Sequence, residues 1–251
     1  MHSGNSARPG LVSLAGASLA GIAALAVPGS ASAAIVVASS GPSASQYPTG
    51  KKLDDDQRIT LRAGDTITVL DSRGTRVLRG PATVTSGRRA PAATNPAFAA
   101  LTRVNSSSRV RTGAVRGAGE DGTVRSPNLW YLDPARGGTQ CVVDPSAIKV
   151  WRADANSDTQ YKVAAADGSR QTTISFAKGI TTADWDSSAL PVHDGTVYNI
   201  SPAGDAGANS VRFVILADQP GTPEDLASVL IEKGCSAQLD LLSNSLASSS
   251  G

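Results

Sequence analysis

Aromatic residues are scarce in this 251-residue chain: three Trp, four Tyr and three Phe, 4% of the total. So thin a supply argues against a sugar cleft floored with stacked rings, although paired carboxylates for glycoside hydrolysis stay open on sequence alone. Histidine is scarcer still. Beyond His2 there is only His193, which excludes zinc sites built on two or three imidazoles. The cysteines number two, Cys141 and Cys235, far from the C-x-x-C spacing of a redox pair. No G-x-S-x-G elbow occurs for a serine hydrolase. After Val27 no apolar run approaches the length of a membrane span. Leucine-rich helical periodicity is missing from most of the chain, which favours short strands and turns over a helix bundle.

What is present begins at the N-terminus. His2 and Arg8 precede an uncharged apolar stretch, Leu11 to Val27, then Pro28-Gly29 and the small residues Ala31-x-Ala33. This order reads as a secretory signal peptide cleaved after Ala33, leaving Ala34 first among 218 residues. The alternative is a retained anchor, for which about 17 residues is the short limit. No cysteine follows to carry a lipid. An exported chain works in an oxidising compartment, where an isolated Cys141/Cys235 pair is most simply a disulfide. Export also removes ATP, NAD and nucleic acid as partners, so no cofactor is expected.

Charge is unevenly spread. From Lys51 to Arg125 there are 14 Lys and Arg against 7 Asp and Glu; from Ser126 to Gly251 there are 8 against 14. Arg88, Arg89, Arg103, Arg109, Arg111, Arg116 and Arg125 concentrate the positive charge. This pattern fits a solvated linker or attraction between the two halves. It also fits contact with an anionic lipid or glycan surface.

The first half alternates apolar and polar residues with period two. Ala34–Ser40 predicts one strand, followed by Arg58–Arg62, Thr66–Asp71, Thr75–Arg79 and Ala82–Thr85, with Gly64 and Gly74 at turns of a compact antiparallel meander. The adjacent acids Asp54, Asp55 and Asp56 read as a solvated turn, since three neighbouring side chains do not converge on one cation. The segments Leu61-Arg-Ala-Gly64-Asp65-Thr-Ile67 and Asp71-Ser-Arg-Gly74 resemble the FecR-type β domain of bacterial periplasmic proteins. That resemblance implies a small β architecture over about 40 residues; the cytoplasmic part and membrane span of such regulators have no counterpart here.

In the middle segment, Asn95-Pro96 predicts a helix start running to Arg103. Gly117-Ala-Gly119-Glu-Asp-Gly122 matches the letters of a dinucleotide fingerprint. No strand precedes it and Pro127 stands where a helix should run, so it reads as a loop.

From Leu129 strands resume: Leu129–Leu132, Thr139–Val143, Ile148–Trp151, Gln160–Ala164, Gln171–Phe176, Thr196–Ile200 and Ser210–Ile215. Their regular spacing predicts a sandwich. Val150-Trp151, Tyr161-Lys-Val163 and Leu190-Pro-Val-His-Asp-Gly195-Thr-Val-Tyr198 resemble a fibronectin type III-like domain. The resemblance implies that Trp151, Tyr161, Leu190 and Tyr198 are core residues, with the Tyr198 hydroxyl bonded back to the main chain. His193 falls in the turn before that tyrosine, a solvent position. Finally, Thr222-Pro-Glu-Asp225 caps a helix carrying Leu226, Val229, Leu230 and Ile231, ended by Lys233-Gly234, with a second helical segment from Cys235 to Leu242.

The expected fold is mainly β: a small antiparallel β domain plus an Ig/fibronectin type III-like sandwich with a C-terminal helix. The expected divisions are a signal peptide (1–33), a FecR-like β domain (34–85), an Arg/Gly-rich flexible linker (86–126), a fibronectin type III-like sandwich (127–219), a helical segment (220–246) and a disordered tail (247–251). The expected role is a non-enzymatic periplasmic scaffold or binding protein engaging an envelope protein. Attachment to an anionic lipid or glycan through the basic segment is the alternative, and a cryptic hydrolase the minor one.

Overall fold

Strand β1 (Ala34–Ser40) opens with four consecutive buried residues rather than an alternating pattern. Such a run belongs to a strand covered on both faces, and the computed structural model shows why. The structure describes residues 34–87, 95–104, 124–204 and 207–247. Strand β1 lies inside a four-stranded antiparallel sheet with β2 (Lys52–Leu53), β4 (Thr66–Asp71) and β5 (Gly74–Arg79), in the order β2-β1-β4-β5. A register shift between Val36 and Ala38 bends the strand. On one face Ala34 and Val36 meet Leu53, Ile59, Leu61, Ile67 and Val69. On the other, Ile35, Val37 and Leu70 meet residues from the far end of the chain.

The N-terminal part is not a simple meander. Strands β3 (Arg58–Leu61) and β6 (Ala82–Thr85) pair with each other as a separate ribbon and enclose the β4–β5 hairpin between them in sequence. The Gly64-Asp65 turn carries the reason. Gly64 has φ 85°, and the buried Asp65 carboxylate accepts the Ser43 and Arg62 N–H groups. Burial pushes that carboxyl up, but these hydrogen bonds outweigh it and hold it below the usual carboxylate range. The turn therefore fastens to two neighbouring segments.

Helix α1 (Pro96–Leu101) is capped by Asn95, whose side chain accepts from the Ala97 and Phe98 N–H groups. Phe98 and Leu101 are buried in the shared core, so the interval 86–126 is not linker throughout. Residues Leu129–Leu132 do not form the expected strand. The Asn128 side chain takes the Trp130 N–H at 2.9 Å, and the Trp130 indole donates to the Thr102 carbonyl at 2.8 Å. These local bonds hold a turn, leaving one bridge, Leu132 to Val150.

The second part is a sandwich. Strands β7 (Gly138–Val142), β9 (Thr159–Ala165), β10 (Gln171–Phe176), β12 (Val197–Pro202) and β13 (Asn209–Ile215) form one sheet in the order β10-β9-β12-β13-β7, with β7 parallel to β13. Facing it, β8 (Lys149–Trp151) pairs with β11 (Thr182–Asp184), a strand too short to leave a sequence signal. Trp185, Tyr198 and Phe213 meet edge-on at 5.2–6.2 Å at the centre of this core.

Arg152 closes one end of the sandwich. Only 4% exposed, its guanidinium donates to the carbonyls of Ile180, Ser157 and Ala177 and to the Thr159 hydroxyl at 2.7–2.9 Å. It lies 5.0 Å from the Phe176 ring centroid. Replacing it by methionine keeps the stem but removes these charge-assisted bonds, and is expected to cost about 2–3 kcal/mol in urea denaturation. Lysine should recover little of that, because one ammonium does not reproduce the fork.

Helix α2 (Pro223–Lys233) starts at Thr222 and stops at Gly234, whose φ of 73° suits glycine. The Gly234 and Cys235 N–H groups close the stop by donating to Ile231 and Leu230 carbonyls at 3.1 and 2.8 Å. Helix α3 (Ser236–Ala247) follows at once. Leu226, Ala227, Leu230, Leu239, Leu242 and Leu246 share one core with Ile35, Val37 and Leu70, α2 lying on β1 and β4 and α3 on β5 and β7. The described residues thus form one compact unit, with the first strand packed against α2.

Glu224, in the first turn of α2, is 7% exposed, and its Oε2 has no hydrogen-bond partner. Burial pushes its carboxyl above the usual range, and Asp71 and Asp225 add repulsion. A carboxyl that holds its proton more tightly when folded loses stability as pH rises through the folded pKa. Glu224→Gln is therefore expected to raise the thermal midpoint at pH 7, the gain vanishing below the unfolded pKa. Melts at pH 4 and pH 7 check it; an equal shift at both would rule out ionisation as the cause.

Candidate functional site

Two chain segments 94 residues apart meet where the stop of α2 presents Cys235 to β7. The disulfide Cys141–Cys235 has Cα atoms 5.9 Å apart, and both residues are fully buried. Three residues on, Gln238 of α3 is also buried. Its Oε1 accepts the Cys141 N–H at 2.7 Å, and its Nε2 donates to the carbonyls of Cys141 and Leu129 at 2.9 and 3.0 Å. One amide side chain thus acts toward Cys141 as a neighbouring strand would.

Beside this seam opens a cleft of about 240 Å³, the candidate site. Leu129, Leu132, Trp151 and Val211 line it, each buried, with the half-buried Leu241 from α3 opposite. Charge is placed at the rim by Asp133, Arg136, Asp240 and Arg125. Burial pushes the Asp133 carboxyl up, opposed by the Ala135 N–H and the Arg136 guanidinium 3.6 Å away. Burial, followed by the charge of Asp133, pushes the Tyr161 hydroxyl up as well. Buried Gln140 and Gln238 join the apolar residues in the lining, and such a mixed interior edged by charge suits a recognition surface.

The residues singled out from sequence distribute as follows. Leu190 and Tyr198 lie in the sandwich core, and the Tyr198 hydroxyl donates to the Pro191 carbonyl at 2.8 Å. Tyr161 is half-buried and edge-on to Phe176 at 5.9 Å. Trp151 is buried, but it lines the cleft, while the tryptophan of the aromatic cluster is Trp185. Of the arginines, Arg125 lines the cleft and Arg103 is exposed next to α1. Arg88, Arg89, Arg109, Arg111 and Arg116 lie outside the described residues, as does the Gly117–Gly122 loop. His193 is exposed in its turn, and its neighbour Asp194 accepts the Ile215 N–H at 2.9 Å. Asp54, Asp55 and Asp56 are exposed.

Sequence reasoning missed Gln238 and Trp185. Gln238 had a signal: it stands on the helical stripe of Cys235, Leu239 and Leu242, where a polar side chain must find buried partners. Among the described residues, no three His, Cys, Asp or Glu are grouped to hold a metal ion, and no helix is long and apolar enough to cross a membrane. No protein family, curated protein or solved structure matches this chain.

Proposed function

We propose that this chain is an exported, non-enzymatic binding or scaffold module of the bacterial envelope, contacting a protein partner through the cleft between α3 and β7. The cleft carries the reading: its two walls are tied together by a disulfide and by the Gln238 bonds, and buried apolar side chains line it beside polar ones. The buried disulfide supports an oxidising compartment, in line with the leader-like residues 1–33 and a periplasmic location. Two resemblances accompany this reading. The buried Asp65 turn supports a FecR-type N-terminal part. The sheet pairing β8–β11 against β10-β9-β12-β13, with the Tyr198–Pro191 bond, supports a fibronectin type III-like second part. Fold alone assigns no partner.

Photo-crosslinking groups at positions 136 and 241, in cells, test the reading against a control at the exposed Thr173 of β10. One defined adduct at the cleft positions and none at 173 is expected. Adducts alike at all three, or at none, would overturn it. If the basic segment instead attaches the chain to anionic lipid or glycan, release from envelope fractions should rise steeply between low and moderate salt.

A further inference from the structure

We infer that the fold seals the processing site behind it: the leader must be removed before β1 is covered by the C-terminal helices. This rests on the reading of the chain as exported with cleavage after Ala33. The two residues that would follow the cut, Ala34 and Ile35, are 0% and 1% exposed. Both are paired on both edges, Ala34 with Asp71 and Leu53, and Ile35 with Leu70 and Lys52. A peptidase must hold the residues around the scissile bond extended in its own groove. Here the main-chain groups of Ala34 and Ile35 are already bonded within a sheet, and the Ile35 side chain lies in the core that β1 shares with α2. Cutting the folded chain therefore requires β1 to peel from between two strands and from against α2, a local opening that scales the rate down by the open fraction.

The order of synthesis supplies the opposite condition during export. The cover over β1 comes from Leu226, Ala227, Leu230 and the Cys235 region, nearly two hundred residues after Ala34. At about 5–20 residues per second the cover arrives about 10–40 s later. In that interval the junction is open to the peptidase, and afterwards it is closed. β1 thus serves as a timer that requires no dedicated segment.

The test uses the full-length precursor purified in detergent. One sample is refolded and oxidised before signal peptidase is added; the other is diluted from denaturant directly into the peptidase, so that both are cut in the same final buffer. The product N-terminus is read by mass spectrometry. The unfolded sample is expected to be cut after Ala33, and the folded one at least about tenfold more slowly. Leu230→Asp, which places a charge under the cover, should return the folded sample to the fast rate. Equal rates for the two wild-type samples would overturn the sealing while leaving export intact. Absence of a cut after Ala33 in both samples would overturn the export reading, and the inference with it.

Discussion

The double variant Cys141→Ala/Cys235→Ala is expected to lose about 4–5 kcal/mol of stability, close to the full cross-link entropy of a loop this long. The bridge joins residues 94 apart in sequence, so the unfolded chain gains a large loop's freedom once it is cut. The folded chain has few substitutes for it. Only Gly234 and Cys235 separate α2 from α3, and β1 is buried partly by α2, at whose end the bridge sits. Guanidinium denaturation of the oxidised, reduced and double-alanine proteins measures the effect. Reduced wild type should behave like the variant. A loss under about 1 kcal/mol would mean that leucine packing alone seats the helices, and that the bridge adds nothing to the scaffold.

How much of this was legible in sequence depends on the range of the interaction. Strand β1, the β4–β5 hairpin and the caps at Asn95 and Thr222 follow from local chemistry and occur where the residues predict them. The pairing of Cys141 with Cys235 needed only the count of cysteines and a compartment. Failure came where distant segments decide. Leu129–Leu132 has strand-like residues, but Asn128 and the Trp130–Thr102 bond turn it. The β3–β6 pairing bypasses a hairpin that could have served as a meander. The cleft is assembled from a turn, a strand edge, Trp151 of β8 and α3, and no contiguous stretch encodes it. Trp151 illustrates the limit. Burial was readable from its strand, but facing the cleft was not, because the side of β8 it occupies depends on where α3 docks.

Gln238→Leu is expected to cost about 3–5 kcal/mol, although it replaces a polar residue by an apolar one of similar size in a hydrophobic core. The Cys141 N–H and the Leu129 carbonyl would each lose a partner, and the Cys141 carbonyl would keep only the Gln140 amide at 3.3 Å, at about 1–3 kcal/mol per orphaned group. Gln238→Glu should be no better: it keeps an acceptor for the N–H but turns a carboxylate oxygen toward two carbonyls. Chemical denaturation of both variants measures this, and a double-mutant cycle with the disulfide separates two accounts of the seam. If bridge and amide hold α3 as one unit, the loss from Gln238→Leu shrinks by more than about 0.5 kcal/mol in the Cys141→Ala/Cys235→Ala background. That follows because a helix already loosened no longer confines the orphaned groups. Additive losses would instead show two independent fastenings, and the cleft beside them would keep its shape when either one is removed.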